Sequence, residues 1–269
     1  MNGAEALIRT AVASGVEVCF ANPGTTELHL VAALDAVPGI RAVLGLFEGV
    51  VTGAADGYAR MAGKPALTLT HLGPGFANGI ANLHNARRAG SPVVNLIGDQ
   101  ATWHLDADAP LTTDIESLAR PVSLWLRKAK TAAELGPDIA EAIAASQRAP
   151  GGVATLIVPA DCAWSDAPGP SRPVAIEAAP RVSADRIDAA ARALRTGEPA
   201  LILLGGGALS KSGSLAAARI AAVTGARVMF GTFPARVERG AGLPAFAKFP
   251  YFPEQGIELL GKVGQLVLA

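Results

Sequence analysis

Two side chains stand where they could move protons. Glu48 is the only charged residue in the fourteen-residue run from Ala42 to Ala55, AVLGLFEGVVTGAA. Charged side chains are almost never fully buried unless they are paired or used. Burial in an apolar pocket raises the pKa of a carboxyl, so such an acid can hold a proton near neutral pH and pass it to a ring nitrogen. The alternative is that Glu48 merely opens a helix after a strand, where the helix dipole favours an acid. His71 follows the apolar segment Ala66–Thr70 and precedes Leu72-Gly73-Pro74-Gly75. That puts it at the carboxyl end of a parallel strand, the edge where ligands of open α/β sheets gather. Its alternative is a loop histidine bonded to backbone.

Other candidates are weaker. Gly73-Pro74-Gly75 before a helix could present backbone N–H groups to a ligand, or could be only a tight turn. Gly205-Gly206-Gly207 follows a strand and precedes a helix, but the full G-x-G-x-x-G pattern and an acid at the ribose distance are missing. His84 and His104 have no metal-like spacing and read as surface or loop residues. Cys19 and Cys162 lie far apart; Cys19 reads as core, and this usage suits a reducing cytoplasm. No Gly-x-Ser-x-Gly elbow supports a hydrolase triad.

The elements that must position these residues alternate. Helical spacing covers Ala4–Ser14, Glu27–Leu34, Gly49–Ala62, Asn78–Arg88 and Ala132–Gln147, while Val16–Phe20, Arg41–Phe47, Ala66–Thr70, Pro92–Ile97, Val122–Arg127 and Val153–Val158 read as strands. Continuous apolar strands joined by helices predict a parallel sheet flanked by helices on both faces. A proline-rich stretch, Asp161–Pro180, then reads as a linker. A second, Rossmann-like α/β unit follows: helix Ala184–Leu194, strand Ala200–Leu204, helix Leu215–Thr224 and strand Arg227–Phe230. The boundaries expected are 1–165, a linker 166–182, and 183–269 as an incomplete second domain. The chain closes on Gln265-Leu266-Val267-Leu268-Ala269, and an apolar strand without a cap leads us to expect that the native protein continues.

Composition removes several classes. Lysine plus arginine (23) equals aspartate plus glutamate (23), and no basic patch appears, so nucleic acid is not an expected partner. No stretch approaches the ~20 apolar residues that span a membrane, and the opening MNGAEALIRT lacks the apolar core of a signal peptide. A cytoplasmic location is the expectation.

Asn22-Pro23-Gly24-Thr25-Thr26-Glu27-Leu28, Phe47-Glu48-Gly49, Ala55-Asp56-Gly57-Tyr58-Ala59-Arg60 and Gly73-Pro74-Gly75, in this order and spacing, resemble the thiamine-diphosphate-dependent 2-oxo acid enzymes, which include acetolactate synthase and benzoylformate decarboxylase. The resemblance is strong over residues 1 to about 165 and weaker beyond 183. It implies that the first domain binds the aminopyrimidine ring of thiamine diphosphate, with Glu48 hydrogen-bonded to a ring nitrogen so that the cofactor can become a carbon nucleophile. Leu46, Phe47, Val50 and Val51 are expected to keep Glu48 dry, and Gly73, Pro74 and Gly75 to line the cofactor. His71 matches the decarboxylase's active-site histidine, where synthases usually carry a small hydroxyl residue. Thr25 matches by place its substrate-binding serine; its alternative is an N-cap for Thr26–Leu34. The stretch Leu111-Thr112-Thr113-Asp114 to Arg120-Pro121 also leans towards the decarboxylase branch.

In that family the diphosphate and Mg2+ are held by a further domain through Gly-Asp-Gly and a later asparagine. This chain has no such segment, and Asp99 in Gly98-Asp99-Gln100 reads as a strand-end residue, so metal ligands are expected elsewhere. FAD, which some synthases hold in the middle domain, is not favoured here. The family also implies a homodimer or homotetramer, with Gly53, Ala54, Ala55, Gly79 and Ala81 expected to let helices approach at the interface. The reading is an acetolactate-synthase-like enzyme portion that decarboxylates a 2-oxo acid and can join the product to a second carbonyl, inactive as this segment alone. Competing readings are a benzoylformate-type decarboxylase, a noncatalytic nucleotide-binding α/β module, and a short partner of a full-length homologue.

Overall fold

The structure, a computed structural model, describes residues 1–269. It divides into two compact units, Met1–Ala179 and Pro180–Ala269. In the first unit the strands are β1 (Val18–Asn22), β2 (Arg41–Leu44), β3 (Ala66–Thr70), β4 (Val93–Asp99), β5 (Trp125–Lys128) and β6 (Val153–Pro159). Its helices are α1 (Gly3–Ala13), α2 (Leu28–Ala36), α3 (Glu48–Ala62), α4 (Leu72–Ala89), α5 (Ile115–Ala119), α6 (Leu135–Gln147) and α7 (Ala160–Trp164). The six strands form one parallel sheet in the order β2-β1-β3-β4-β6-β5. Every residue of β3, β4 and β6 is buried, which is why these strands are predominantly apolar and carry a single charge, the terminal Asp99 of β4.

Alternate side chains of the strands feed two cores. Val94, Leu96, Ala154 and Leu156 pack with Leu7 and Ile8 of α1, Leu30 of α2 and Ile139 of α6. Val93, Ile97, Val153 and Ile157 pack with Ala55 and Ala59 of α3 and with Phe76 and Leu83 of α4. From β1 the chain therefore crosses one face through α2 to the neighbour β2, and from β3 it crosses the other face through α4 to β4. The crossovers diverge between β1 and β3. Open parallel sheets form a ligand crevice at such a switch point, outside the carboxyl ends of the strands.

One row in the sheet is polar. Thr68, Asn95 and Thr155 are fully buried side by side across β3, β4 and β6. Thr68 Oγ1 donates to Asn95 Oδ1 at 2.7 Å, Thr155 Oγ1 shares a hydrogen bond with Ser123 Oγ at 2.7 Å, and Asn95 Nδ2 has no protein partner.

The second unit comprises α8 (Ala184–Leu194), β7 (Ala200–Leu204), α9 (Lys211–Thr224), β8 (Arg227–Phe230), β9 (Ala247–Lys248), α10 (Pro253–Leu260) and β10 (Gln265–Leu268), with a parallel sheet β10-β7-β8-β9. Several element bounds differ from those read in the sequence. The proline-rich stretch begins inside helix α7, whose Cys162 and Ala163 pack into the core. Helices α5 and α10 are short and were not anticipated. Helix α4 starts at Leu72 rather than Asn78, since the Gly and Pro of its first turn mask the helical pattern. Proline is tolerated there because first-turn N–H groups lack intrahelical partners. No helix is long and apolar enough to cross a membrane.

Candidate active site

Glu48 is the first residue of α3 and is buried. The helix-opening reading is thus geometrically right, but the carboxylate does more than face the helix dipole. Its Oε2 accepts a hydrogen bond from Asn78 Nδ2 of α4 at 2.9 Å. Its Oε1 faces Gly75, where a Cβ would stand 3.0 Å away. No protein donor reaches Oε1 among the described residues. The expected apolar shell is mostly absent: Leu46 is 90% exposed, Phe47 49% and Val50 61%, and of the four residues only Val51 is buried. The reason is that β2 ends at Leu44 on the open edge of the sheet, so Leu46 and Phe47 lie beyond it and Val50 points outward from the helix. Helix α4, not an apolar collar, shields Glu48.

Close contact of α3 with α4 makes this shielding feasible. Thr52 Oγ1 donates to the carbonyls of Glu48 and Gly79, each at 3.0 Å, and Asn82 Nδ2 donates to the Gly49 carbonyl at 2.7 Å. A Cβ at Gly79 would approach Thr52 Cγ2 to 2.8 Å. Gly79 and Ala55, expected at a subunit interface, are therefore buried inside this unit, where they let its own helices meet.

His71 caps α4 from the carboxyl end of β3, and its Cβ lies on the other flank of Gly75, 3.3 Å from where a Cβ there would stand. Gly75 thus separates Glu48 from His71 by the width of one missing side chain. The imidazole is not bonded to backbone as a loop histidine would be. Its Nδ1 lies 2.8 Å from Glu27 Oε2 and 3.3 Å from Thr26 Oγ1. Glu27, to which the sequence reading assigned no role, is completely buried. It also accepts from the Gly24 N–H at 2.7 Å and from Thr26 Oγ1 at 2.6 Å. The turn after β1 and the end of β3 meet here, at the switch point.

Gly73-Pro74-Gly75 form part of the first turn of α4 instead of a loop before it. Their value as amide donors shrinks accordingly: Pro74 has no N–H, and the Gly75 N–H donates to the His71 carbonyl at 2.9 Å. Their smallness matters more. A Cβ at Gly73 would overlap Thr113, which lies in the stretch singled out from the sequence. Leu72 bridges strand and helix with φ of 50°, a left-handed conformation uncommon for a bulky residue. Thr25 starts a short 3-10 turn, Thr25–Glu27, whose N-cap is Gly24; it does not cap α2, and its side chain is exposed. Asp99 ends β4 in an ion pair with Lys128 Nζ at 2.6 Å and accepts from the Gln100 N–H. No group of His, Cys, Asp or Glu side chains that could hold a metal ion gathers among the described residues. His84 is exposed on α4 and His104 half-buried in a turn, away from these contacts. Burial pushes the thiols up, Cys19 to about 12 and Cys162 to about 11, so neither is a ready nucleophile.

The chain is similar to known proteins in both sequence and fold. Residues 1–118 match the family described as "Thiamine pyrophosphate enzyme, N-terminal TPP binding domain". The whole chain is 55% identical to the "Putative acetolactate synthase large subunit IlvX" of Mycobacterium tuberculosis, of which it covers 52%. Over 148 residues, 55% of the chain and 28% of the relative, it is 32% identical to the benzoylformate decarboxylase of Pseudomonas aeruginosa. The thiamine diphosphate-dependent 4-hydroxybenzoylformate decarboxylase of Rhodococcus jostii RHA1 superposes on all of the chain with a TM-score of 0.87 at 24% identity, and the chain covers 51% of it. That last likeness speaks for the fold. The chain spans about half the length of the relative and of the structure that match it throughout. Over residues 1–118 the chain is thus similar to the N-terminal TPP-binding domain of the thiamine pyrophosphate enzymes.

Proposed function

We propose that the chain supplies the pyrimidine-binding half of an active site that decarboxylates a 2-oxo acid, acetolactate-synthase-like, with joining of the product to a second carbonyl as an extension of the same chemistry. The observation that carries this reading is the buried Glu48 carboxylate, held through Oε2 by Asn78 with Oε1 open beside Gly75. A carboxylate with one oxygen anchored and the other free fits a ring nitrogen that must exchange a proton. When bound, thiamine diphosphate supplies the carbon nucleophile and accepts the electron pair released with carbon dioxide. Glu48 would hold or share the proton at the pyrimidine nitrogen, and α4 would keep water from it. Gly75 leaves the room, and Gly73 and Pro74 shape the same turn. His71, beyond Gly75, would face the 2-oxo acid, with Thr25 on the neighbouring turn as a contact for its carboxylate.

The diphosphate and its Mg2+ would be held by a domain outside this chain, in a homodimer or higher oligomer of the cytoplasm. Exposed Leu44, Leu46, Phe47 and Val50 beside Glu48 offer an apolar surface for that partner. In this reading residues 1–165 form the pyrimidine domain, 166–182 the linker and 183–269 an incomplete middle domain without FAD. A second reading, a benzoylformate-type decarboxylase without the joining step, is favoured by His71 and its buried Glu27 partner.

Exchange of the cofactor's thiazolium proton in the whole gene product tests the assignment. Glu48→Gln should slow it roughly 10²–10⁴-fold, the usual cost of losing general acid–base help, while diphosphate binding with magnesium stays near wild type. His71→Ala should leave exchange untouched and slow only the substrate steps. Exchange at the wild-type rate in the Glu48 variant would remove the role given to Glu48.

A further inference from the structure

We propose that Glu27 is a positioning residue: it fixes His71 as the Nδ1–H tautomer and leaves Nε2 as the working nitrogen. This rests on the reading in which His71 faces a 2-oxo acid, and adds which atom meets it. The argument begins with donors. Glu27 is fully buried, and three groups point at its two oxygens. The Gly24 N–H and His71 Nδ1 meet Oε2 at 2.7 and 2.8 Å, and Thr26 Oγ1 meets Oε1 at 2.6 Å. An ionised carboxylate only accepts, so the nitrogen that faces it must carry the proton. Thr26 Oγ1 also lies 3.3 Å from Nδ1, but its single hydrogen is engaged by Oε1. Nε2 has no partner among the described residues, and the side chain is 25% exposed.

The surroundings are cut to fit this pair. A Cβ at Gly98, on β4, would overlap the Glu27 carboxylate. A Cβ at Gly24 would overlap the imidazole ring. A residue needed only to close the 3-10 turn would require the Gly24 contact alone. It would explain neither complete burial nor the space cleared at Gly98 on β4 and at Gly24 beside the ring. Carboxylate–imidazole pairs of this kind set the tautomer and orientation of the ring, so that the opposite nitrogen presents a lone pair or, once protonated, a proton. In the proposed reaction that nitrogen would take a proton from, or return it to, the oxygen or carbon of the substrate.

The test needs neither cofactor nor turnover. Two-bond 15N–1H spectra of the 269-residue chain, recorded above the range in which histidines titrate and assigned with His71→Gln, report which ring nitrogen carries hydrogen. The wild type should show His71 almost wholly as Nδ1–H. Glu27→Leu should lose most of that form in favour of Nε2–H, whereas Glu27→Gln, which keeps one acceptor oxygen, should retain part of it. A wild-type His71 protonated on Nε2 would overturn the proposal, as would a folded Glu27→Leu chain with an unchanged Nδ1–H signal. If Glu27→Leu does not fold, the wild-type spectrum and Glu27→Gln still decide. A correct tautomer in a protein whose Glu48→Gln variant exchanges the cofactor proton normally would count against the reading of the site and not against Glu27.

Discussion

The glycines of the two units differ in what surrounds them. In the first unit, Gly24, Gly73, Gly75 and Gly98 each stand against a site side chain: His71, Thr113, Glu48 and Glu27 in turn. In the second, Gly206 and Gly207, the centre of the Gly-Gly-Gly turn, have nothing within 4 Å of an added Cβ. Gly73-Pro74-Gly75 and Gly205-Gly206-Gly207 both follow a parallel strand at the start of a helical turn, and in sequence they look alike. Crowding separates them. A glycine that a neighbour fills is a shape requirement, whereas one in open space records only a turn.

Substitution by alanine can break this comparison. Gly98→Ala should have the largest effect, because the new methyl meets a buried carboxylate held by three donors and lacking room to retreat. Overpacking typically costs about 1–3 kcal/mol, and the upper end is expected. The three tryptophans, Trp103, Trp125 and Trp164, all lie in the first unit, so their fluorescence during urea unfolding reads that unit alone. A change below about 0.5 kcal/mol, the scale of ordinary surface substitutions, would mean that the Glu27 pocket is loose.

Gly79→Ala should be milder. Its methyl would meet Thr52 Cγ2, and Thr52 cannot rotate away without giving up its bonds to two carbonyls. Against that cost stands the helix-propensity gain of alanine over glycine, about 1 kcal/mol. The net should be a loss of about 0–2 kcal/mol by the same fluorescence measurement. A clear gain in stability would show that α3 and α4 can separate freely.

Gly207→Ala should be neutral or stabilise by up to about 0.4–1 kcal/mol, since it restricts the unfolded chain and meets nothing in the folded one. Hydrogen exchange of the β7 amides would register it. A loss of more than 1 kcal/mol on the scale of single substitutions would mean that this turn, too, is shaped around something.

Much of this was legible in the chain. The strands Ala66–Thr70, Ala200–Leu204 and Arg227–Phe230 were read at their observed limits, because buried parallel strands are predominantly apolar and flanked by Gly, Pro or polar residues. The parallel flanked sheet followed from their alternation with helices, and the likeness to thiamine-diphosphate enzymes from the motifs at Gly24, Glu48 and Gly73. What escaped was tertiary. The exposure of Leu46, Phe47 and Val50 depends on β2 lying at an edge, and strand order is not written in any one strand. Glu27 was quoted as part of a motif yet left without a role, since its partner lies 44 residues on and Gly98 further still. A usable signal existed: a second acid at a strand-end turn, three residues after Gly24. Asn78, Asn82 and Asn85 likewise follow helical spacing and mark a polar stripe on α4, two of whose members clasp α3. Reading Asn78 as the start of that helix hid them.

The buried row Thr68, Asn95 and Thr155 has a bearing on how these strands find one another. Strand side chains repeat with period two, so sliding β4 by one residue exchanges its two core faces and turns Asn95 to the wrong one. Sliding by two keeps every apolar side chain on its proper face and, as far as the apolar residues go, is nearly unpunished. It would nonetheless carry the end of one strand about 6.6 Å past its neighbour. Gly98 would then no longer lie over Glu27. Only the polar row objects to such a slip. Moved by two towards Ala66, Asn95 Oδ1 would leave the Thr68 hydroxyl and stand beside an aliphatic group, where each orphaned group costs about 1–3 kcal/mol. The hydroxyl–amide contact thus works as an index mark between β3 and β4, and its accuracy is felt at the far end, where Gly98 must clear the Glu27 carboxylate.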